Sequence, residues 1–173
     1  MTVLVFLFAF NALSCNRPQV GSTTVLLVRH AEKASEAEDS PLNEAGIERA
    51  QALVRVTEQA GISAIYTSQF KRNRDTAKPP SDRLGVAVTE APVNLAAPGD
   101  SGKTLAGSIL EKHAGQVVLV VGHGNTIASI IEGLTGRTFS IGEIGYPDLF
   151  IVTIPPSGSA NVIKAQYGLK AGN

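Results

Sequence analysis

Unbroken runs of β-branched and aliphatic residues alternate along this chain with stretches in which apolar residues recur at helical spacing. Two of the runs, residues 24–28 and 117–121, contain only Val, Leu and one Thr, which is typical of strands buried on both faces of a sheet. Shorter runs predict four further strands, at residues 62–66, 86–89, 149–154 and 160–167. We expect the last of these to return as an antiparallel edge strand.

The stretches between these runs predict four helices, at residues 43–60, 70–84, 103–113 and 125–134. Asn43 is a suitable N-cap for the first, and Gly85 and Gly136 are suitable stops for the second and fourth. Pro79-Pro80 predicts an interruption of the second helix. Strands that alternate with helices predict a three-layer α/β/α fold with a mostly parallel central sheet and an antiparallel edge strand.

Composition narrows the function classes. The length of 173 residues suggests one domain, and 15 Lys and Arg balance 15 Asp and Glu, so the charge does not favour nucleic acid as a partner. A single Cys excludes an intrachain disulfide. The three His residues are too scattered to indicate a zinc site by spacing, so we expect no metal or other cofactor.

The first 15 residues differ from the rest. Val3–Phe10 is apolar without a break but too short to span a bilayer, as is typical of the core of a signal peptide. Ala12–Cys15 resembles a bacterial lipobox, which implies lipid on Cys15 and a bacterial envelope protein. Residues 16–22 would then be a tether and 23–173 the domain. The alternatives are a soluble exported form cleaved nearby, a cytoplasmic protein with a mis-assigned start, and a buried N-terminal strand with an inert Cys15.

Polar side chains follow three of the predicted strands. Arg29-His30 follows the first and His123-Gly124-Asn125 the fourth, while Arg72 lies shortly after the second. Because the carboxyl ends of parallel strands meet at one edge of a sheet, we expect these residues to converge there. Arg binds phosphate oxygens bidentately, and the helix predicted from Asn125 adds backbone N–H donors and a positive dipole end. Together they predict an anion site, although either Arg72 or Arg74 alone could be a solvated residue.

These segments resemble the motifs of the histidine phosphatase superfamily, the phosphoglycerate mutase-like proteins. Residues 27–32 resemble its Arg-His-Gly motif, 67–77 its Ser-Ser-Pro-Leu-x-Arg-Ala-x-x-Thr-Ala segment, and 121–126 its Gly-His motif. They follow in family order over about residues 24–154. The resemblance aligns Arg72 with the second phosphate-binding arginine of the family.

The resemblance implies a metal-independent phosphatase in which His30 becomes a phosphohistidine that water then hydrolyses. Arg29, Arg72 and His123 would neutralise the charge of the transferring phosphoryl group. Gly124 and Asn125 would add contacts to the bound phosphate. Glu90 and Asp100 are the candidates for a general acid, Glu90 first, yet neither lies in a recognisable family context. A missing acid would favour substrates with good leaving groups.

The sequence departs from the family pattern at Ala31, where the motif has Gly, and at Gln69, where it has Pro. The short chain offers no insertion long enough for a cap domain, so the site should be open. An open site suits a small phosphatase acting on a phosphorylated small molecule or a phosphoprotein better than a mutase, which must exclude water. The alternatives are an envelope lipoprotein that binds a phosphorylated ligand without turnover and a phosphoglycerate mutase-type phosphotransferase.

Overall fold

The computed structural model describes residues 21–168, and these form one six-stranded sheet with helices on both faces. The strands are β1 (Thr23–Arg29), β2 (Ile62–Thr67), β3 (Val88–Glu90), β4 (Val117–Gly122), β5 (Asp148–Ile154) and β6 (Asn161–Gln166). The helices are α1 (Glu44–Thr57), α2 (Lys71–Leu84), α3 (Pro98–Lys112) and α4 (Ile127–Thr135). The predicted signal, lipobox and most of the tether lie outside the described residues.

The sheet runs in the order β3-β2-β4-β1-β5-β6. The first four of these strands are parallel neighbours, whereas β5 is antiparallel to β1 and β6 is antiparallel to β5. The α/β/α class with a mostly parallel sheet and an antiparallel edge strand is therefore confirmed. One detail differs, because β5, inside the sheet, is antiparallel as well.

Alternate residues of the central strands point to opposite faces and enter two separate cores. Leu27 and Val120 belong to the cluster beneath α3 and α4, while Val28 and Val121 belong to the cluster that includes Leu53 of α1. Residues 25–28 and 117–121 of these strands are apolar without a break because both faces of the strands are covered. Among the described residues, no helix is long and apolar enough to cross a membrane.

Two helices differ from their predicted form. α2 continues through Pro79 and Pro80, although each proline removes a ladder hydrogen bond and crowds the carbonyl four residues earlier; the fixed φ of proline is compatible with a helix, and Pro80 is buried. α3 begins at Pro98 rather than at residue 103, because proline is well suited to the first helical position, where its missing N–H would have no intrahelical partner.

Candidate active site

The pairing of β1 with β4 brings His30 and His123 together. Arg29 is the register partner of Gly122, and the His30 backbone N–H donates to the Gly122 carbonyl at 2.9 Å. Each histidine is the first residue after its strand, so the rings meet at the carboxyl edge of the sheet. Their centroids are 5.4 Å apart with an interplanar angle of 68°.

A cavity of about 420 Å³ opens at this edge. All six residues that the sequence predicts for catalysis and phosphate binding line it: Arg29, His30, Arg72, His123, Gly124 and Asn125. We call this space the central cavity. Its remaining lining comes from Val93, Leu95, Gly142, Glu143 and Ile144. The structure therefore brings these six residues together, beside a partly apolar wall that the sequence did not predict.

The acidic candidates lie elsewhere. Glu90 forms an ion pair with Arg74 at 3.3 Å, its side chain is 47% exposed, and it lines a separate groove along α3. Asp100 lines that same groove. Within the described residues, the carboxylate side chain that lines the central cavity is Glu143, which sequence reasoning missed because its loop carries no recognisable motif.

His30 is only 5% exposed, and its Nδ1 lies 2.9 Å from the Ala31 carbonyl. Because a carbonyl oxygen can only accept, this hydrogen bond requires a proton on Nδ1 and leaves the Nε2 lone pair free. Burial is the main cause that lowers the pKa of His30 to about 4; the Ala31 hydrogen bond opposes this shift, and the nearby Arg72 and Arg29 charges add to it. The imidazole is therefore neutral at pH 7.

His123 is 7% exposed, and its Nε2 lies 2.8 Å from the Ser68 hydroxyl. Burial is the main cause that lowers its pKa to about 3, and His30 and the two arginines add to the shift. The His123 backbone N–H donates to the Thr126 hydroxyl at 3.0 Å. The helix α4 begins at Ile127, so Asn125 precedes it by two residues rather than opening it.

Both arginines are held by backbone carbonyls. Arg29 Nη1 donates to the Ile144 carbonyl at 2.9 Å, and Arg72 Nη1 donates to the Glu38 carbonyl. Burial lowers the pKa of Arg72, while the Asp39 carboxylate opposes this shift. The two guanidiniums thus line the central cavity from the end of β1 and from the first turn of α2.

Helix α2 fastens the strand ends through two side chains that the sequence analysis did not single out. Asn73 Nδ2 donates to the Val121 and Gly122 carbonyls, each at 3.0 Å. Thr76 Oγ1 accepts from the Ala31 backbone N–H at 2.9 Å. Their spacing of three residues on one helix face was the available signal.

The segment after His30 is anchored to α1. Arg49, 6% exposed, forms a two-pronged ion pair with Glu32, whose Oε1 lies 2.7 Å from Arg49 Nη2. Gly46 approaches the same segment so closely that a Cβ there would lie 2.3 Å from the Glu32 carbonyl oxygen. The ion pair and the close approach hold the chain directly after the buried histidine.

The described residues contain no group of three or more His, Cys, Asp or Glu side chains that could hold a metal ion. Among the described residues that line the central cavity, the cationic groups are the two guanidiniums, so the arrangement suits an oxyanion such as a phosphoryl group. A neutral imidazole with a free nitrogen next to two fixed cations is chemically equipped for nucleophilic attack on phosphorus.

The model of the histidine phosphatase superfamily (branch 1) matches residues 25–93. No curated protein sequence matches the chain. Among solved structures, YhfR of Bacillus stearothermophilus is similar at 19% identity and a TM-score of 0.69, over 81% of this chain and 95% of that one.

Two further structures share the fold. The mycobacterial glucosyl-3-phosphoglycerate phosphatase is 17% identical with a TM-score of 0.63, over 86% of this chain and 99% of that one. The α-ribazole phosphatase of Shigella flexneri is 15% identical with a TM-score of 0.64, over 76% of this chain and 94% of that one. The family match over residues 25–93 confirms the resemblance drawn from the motifs, and the solved structures show that the chain shares their fold.

Proposed function

We propose that this chain is a metal-independent phosphatase that hydrolyses phosphomonoesters or related phosphoryl compounds through a phosphohistidine on His30. The observation that carries the proposal is the tautomer of His30. Its Nδ1–H is committed to the Ala31 carbonyl, its pKa is lowered to about 4, and the ring borders a cavity that also holds Arg29 and Arg72.

In the first step, the Nε2 lone pair of His30 attacks phosphorus, and the bond from phosphorus to the leaving oxygen breaks. The leaving oxygen keeps that electron pair and takes up a proton. In the second step, water attacks phosphorus and releases a proton to the solvent, which replaces the proton that the leaving oxygen took from the solvent in the first step; the P–N bond breaks, and its electron pair returns to Nε2. Arg29 and Arg72 stabilise the charge that develops on the phosphoryl oxygens in both steps.

The residues around the central cavity bear on which leaving groups the proposed reaction can release, because a poor leaving group needs an acid that protonates its oxygen. Glu90 is paired with Arg74 outside the cavity, so it would have to leave that ion pair to protonate a leaving oxygen. Substrates with good leaving groups, such as aryl or acyl phosphates and phosphoramidates, depend least on such an acid. The names of the similar phosphatases support phosphorylated small molecules as the substrate class. A phosphoprotein is the other class that the open cavity would accept.

The test is hydrolysis of p-nitrophenyl phosphate in EDTA by the wild type and by His30→Ala. We expect wild-type turnover that EDTA does not reduce and none above background in the variant, with unchanged circular dichroism. Binding of phosphate without turnover would instead support the non-catalytic lipoprotein. Transfer of the phosphoryl group between phosphoglycerates would support the mutase-type alternative.

We further propose that the protein is an exported, lipid-anchored protein of a bacterial envelope. Support comes from the sequence of Val3–Phe10 and from the position of Cys15, the single Cys of the chain. Acyl chains contribute about 0.8 kcal/mol of membrane-binding free energy per buried CH₂ group. A protein that carries two membrane-binding signals, such as two acyl chains, is anchored stably. In the native host, the wild type should fractionate with membranes and Cys15→Ser should not be processed at that site. Intact mass showing Met1 and no lipid would contradict this.

A further inference from the structure

The guanidinium of Arg29 is held on two sides. Its Nη1 donates to the Ile144 carbonyl at 2.9 Å, and its Cζ lies 4.3 Å from the centroid of the Tyr146 ring. Its Nε is buried and has no hydrogen-bond partner among the described residues. The edge formed by Nε and Nη2 is therefore the donor pair that remains for a ligand, and such an edge matches two phosphoryl oxygens.

Arg72 is held in the same way by different residues. Its Nη1 donates to the Glu38 carbonyl, and its Cζ lies 4.5 Å from the centroid of the Phe70 ring. Its Nε is likewise buried without a partner in the described part of the chain. Each arginine thus has one nitrogen on a carbonyl, one face on an aromatic ring and an Nε without a partner among the described residues, and both arginines line the central cavity.

Each aromatic ring also contacts a histidine. The Tyr146 ring lies 5.9 Å from the His30 ring, centroid to centroid, and is tilted by 56°. The Phe70 ring lies 5.4 Å from the His123 ring and is nearly perpendicular to it, at 86°. Tyr146 therefore links Arg29 to His30, while Phe70 links Arg72 to His123.

We propose that Tyr146 and Phe70 are positioning residues that fix the two Arg–His pairs, so that both guanidiniums present their Nε edges to the phosphoryl group. This inference rests on the proposed phosphatase function. An arginine side chain has several rotatable bonds, and a wrong rotamer would remove one donor from the bound phosphoryl. A ring against the guanidinium face restricts those rotamers, and the cation–π attraction strengthens where water is excluded.

The surroundings of the two rings fit this role. Phe70 is only 4% exposed and directly precedes α2, whose first turn contains Arg72. Tyr146 lies in a turn closed by Asp148, whose Oδ2 accepts from the Gly145 N–H at 2.9 Å and pairs with Lys164 at 3.0 Å. Both rings are therefore carried by backbone that is itself fixed, as a positioning role requires.

The experiment compares Tyr146→Leu, Tyr146→Phe and Phe70→Leu with the control Phe139→Leu. Phe139 also stacks on an arginine, with Arg137 Cζ at 5.3 Å, but neither residue lines the central cavity. For each full-length variant we would measure kcat and KM for p-nitrophenyl phosphate, the Kd of inorganic phosphate and the Tm. We expect kcat/KM to fall by about 5- to 30-fold in Tyr146→Leu and in Phe70→Leu, the range that one desolvated cation–π contact represents.

Tyr146→Phe keeps the ring and should retain most of the wild-type kcat/KM, and Phe139→Leu should match the wild type. In the Arg29→Lys background, Tyr146→Leu should add little further loss, because its effect acts through Arg29. The inference is overturned if Tyr146→Leu matches Phe139→Leu, if Tyr146→Phe loses as much as Tyr146→Leu, or if the losses of Tyr146→Leu and Arg29→Lys simply add. Should the wild type show no turnover, the proposed function fails. The inference about the two rings is then tested by the Kd of inorganic phosphate. Tyr146→Leu and Phe70→Leu should weaken phosphate binding, whereas Tyr146→Phe and Phe139→Leu should not.

Discussion

The rings of His30 and His123 meet at 5.4 Å across the β1–β4 pair, and both are buried beside two guanidiniums. Protonation of either ring would add a positive charge where Arg29 and Arg72 already supply two. The structure therefore keeps both imidazoles neutral. For His30 this preserves the lone pair that the proposed reaction needs.

The first prediction contrasts two arginines of α2. Arg72 lines the central cavity, whereas Arg74 is paired with Glu90 and its side chain is 42% exposed. Arg72→Ala should lower kcat/KM by about 10²- to 10³-fold, as expected for loss of one charge-stabilising donor, and Arg74→Ala should have a far smaller effect. Steady-state kinetics on p-nitrophenyl phosphate measures both. Equal losses would mean that Arg72 has been assigned the wrong role.

The second prediction concerns the pH dependence of stability. The folded pKa values of about 4 for His30 and about 3 for His123 lie below the unfolded value of 6.5. The unfolded chain therefore binds more protons below pH 6.5. The stability that depends on the two neutral histidines is complete above pH 6.5 and is lost as the pH falls toward about 4 for His30 and about 3 for His123. For each additional proton that the unfolded chain binds, the free energy of unfolding decreases by up to about 1.4 kcal/mol per unit fall in pH.

Urea unfolding of the wild type between pH 7 and pH 5 would measure this slope. Carboxylates also titrate near the lower end, so the matched control is the double variant His30→Asn/His123→Asn. Its free energy of unfolding should fall less over the same range. A variant with the same slope as the wild type would show that the two histidines are not held neutral.

The third prediction compares two helical glycines. A Cβ at Gly46 would meet the Glu32 backbone at 2.3 Å, whereas a Cβ at Gly107 in α3 meets nothing within 4 Å. Gly46→Ala should lower the free energy of unfolding by about 1–3 kcal/mol through overpacking. Gly107→Ala should raise it by about 0.5–1 kcal/mol, because alanine favours the helix. If denaturant unfolding showed both variants to be more stable than the wild type, the close approach of Gly46 to the Glu32 backbone would be contradicted.

The central strands were predictable because both of their faces are buried, so Val25, Val118 and the residues that follow them are apolar without a break. The convergence of Arg29, His30 and His123 followed from the rule that parallel strands end at one edge. Arg72 required the motif as well, since a lone arginine on a helix is usually solvated. Local pattern and topology together were enough for these residues.

The remainder of the site depends on contacts between segments far apart in the chain. Tyr146 is separated from Arg29 by more than half the sequence, and its position comes from a turn that Asp148 closes. No periodicity signals such a contact. Likewise, Glu90 was a reasonable acid from its place in the sequence, but the ion pair with Arg74 holds it outside the cavity that Glu143 lines. In both cases the position of the side chain depends on contacts with other side chains, which no local sequence pattern predicts.

The most direct test of the proposed mechanism is to trap the phosphoenzyme. Wild type and His30→Ala would be mixed with a phosphoryl-labelled aryl phosphate, denatured at alkaline pH within the first turnover, and mapped by peptide mass spectrometry. We expect the label on His30 in the wild type, in the stoichiometry of a burst, and neither label nor turnover in a folded His30→Ala. Appreciable hydrolysis by His30→Ala, or label on another residue, would contradict the proposed mechanism.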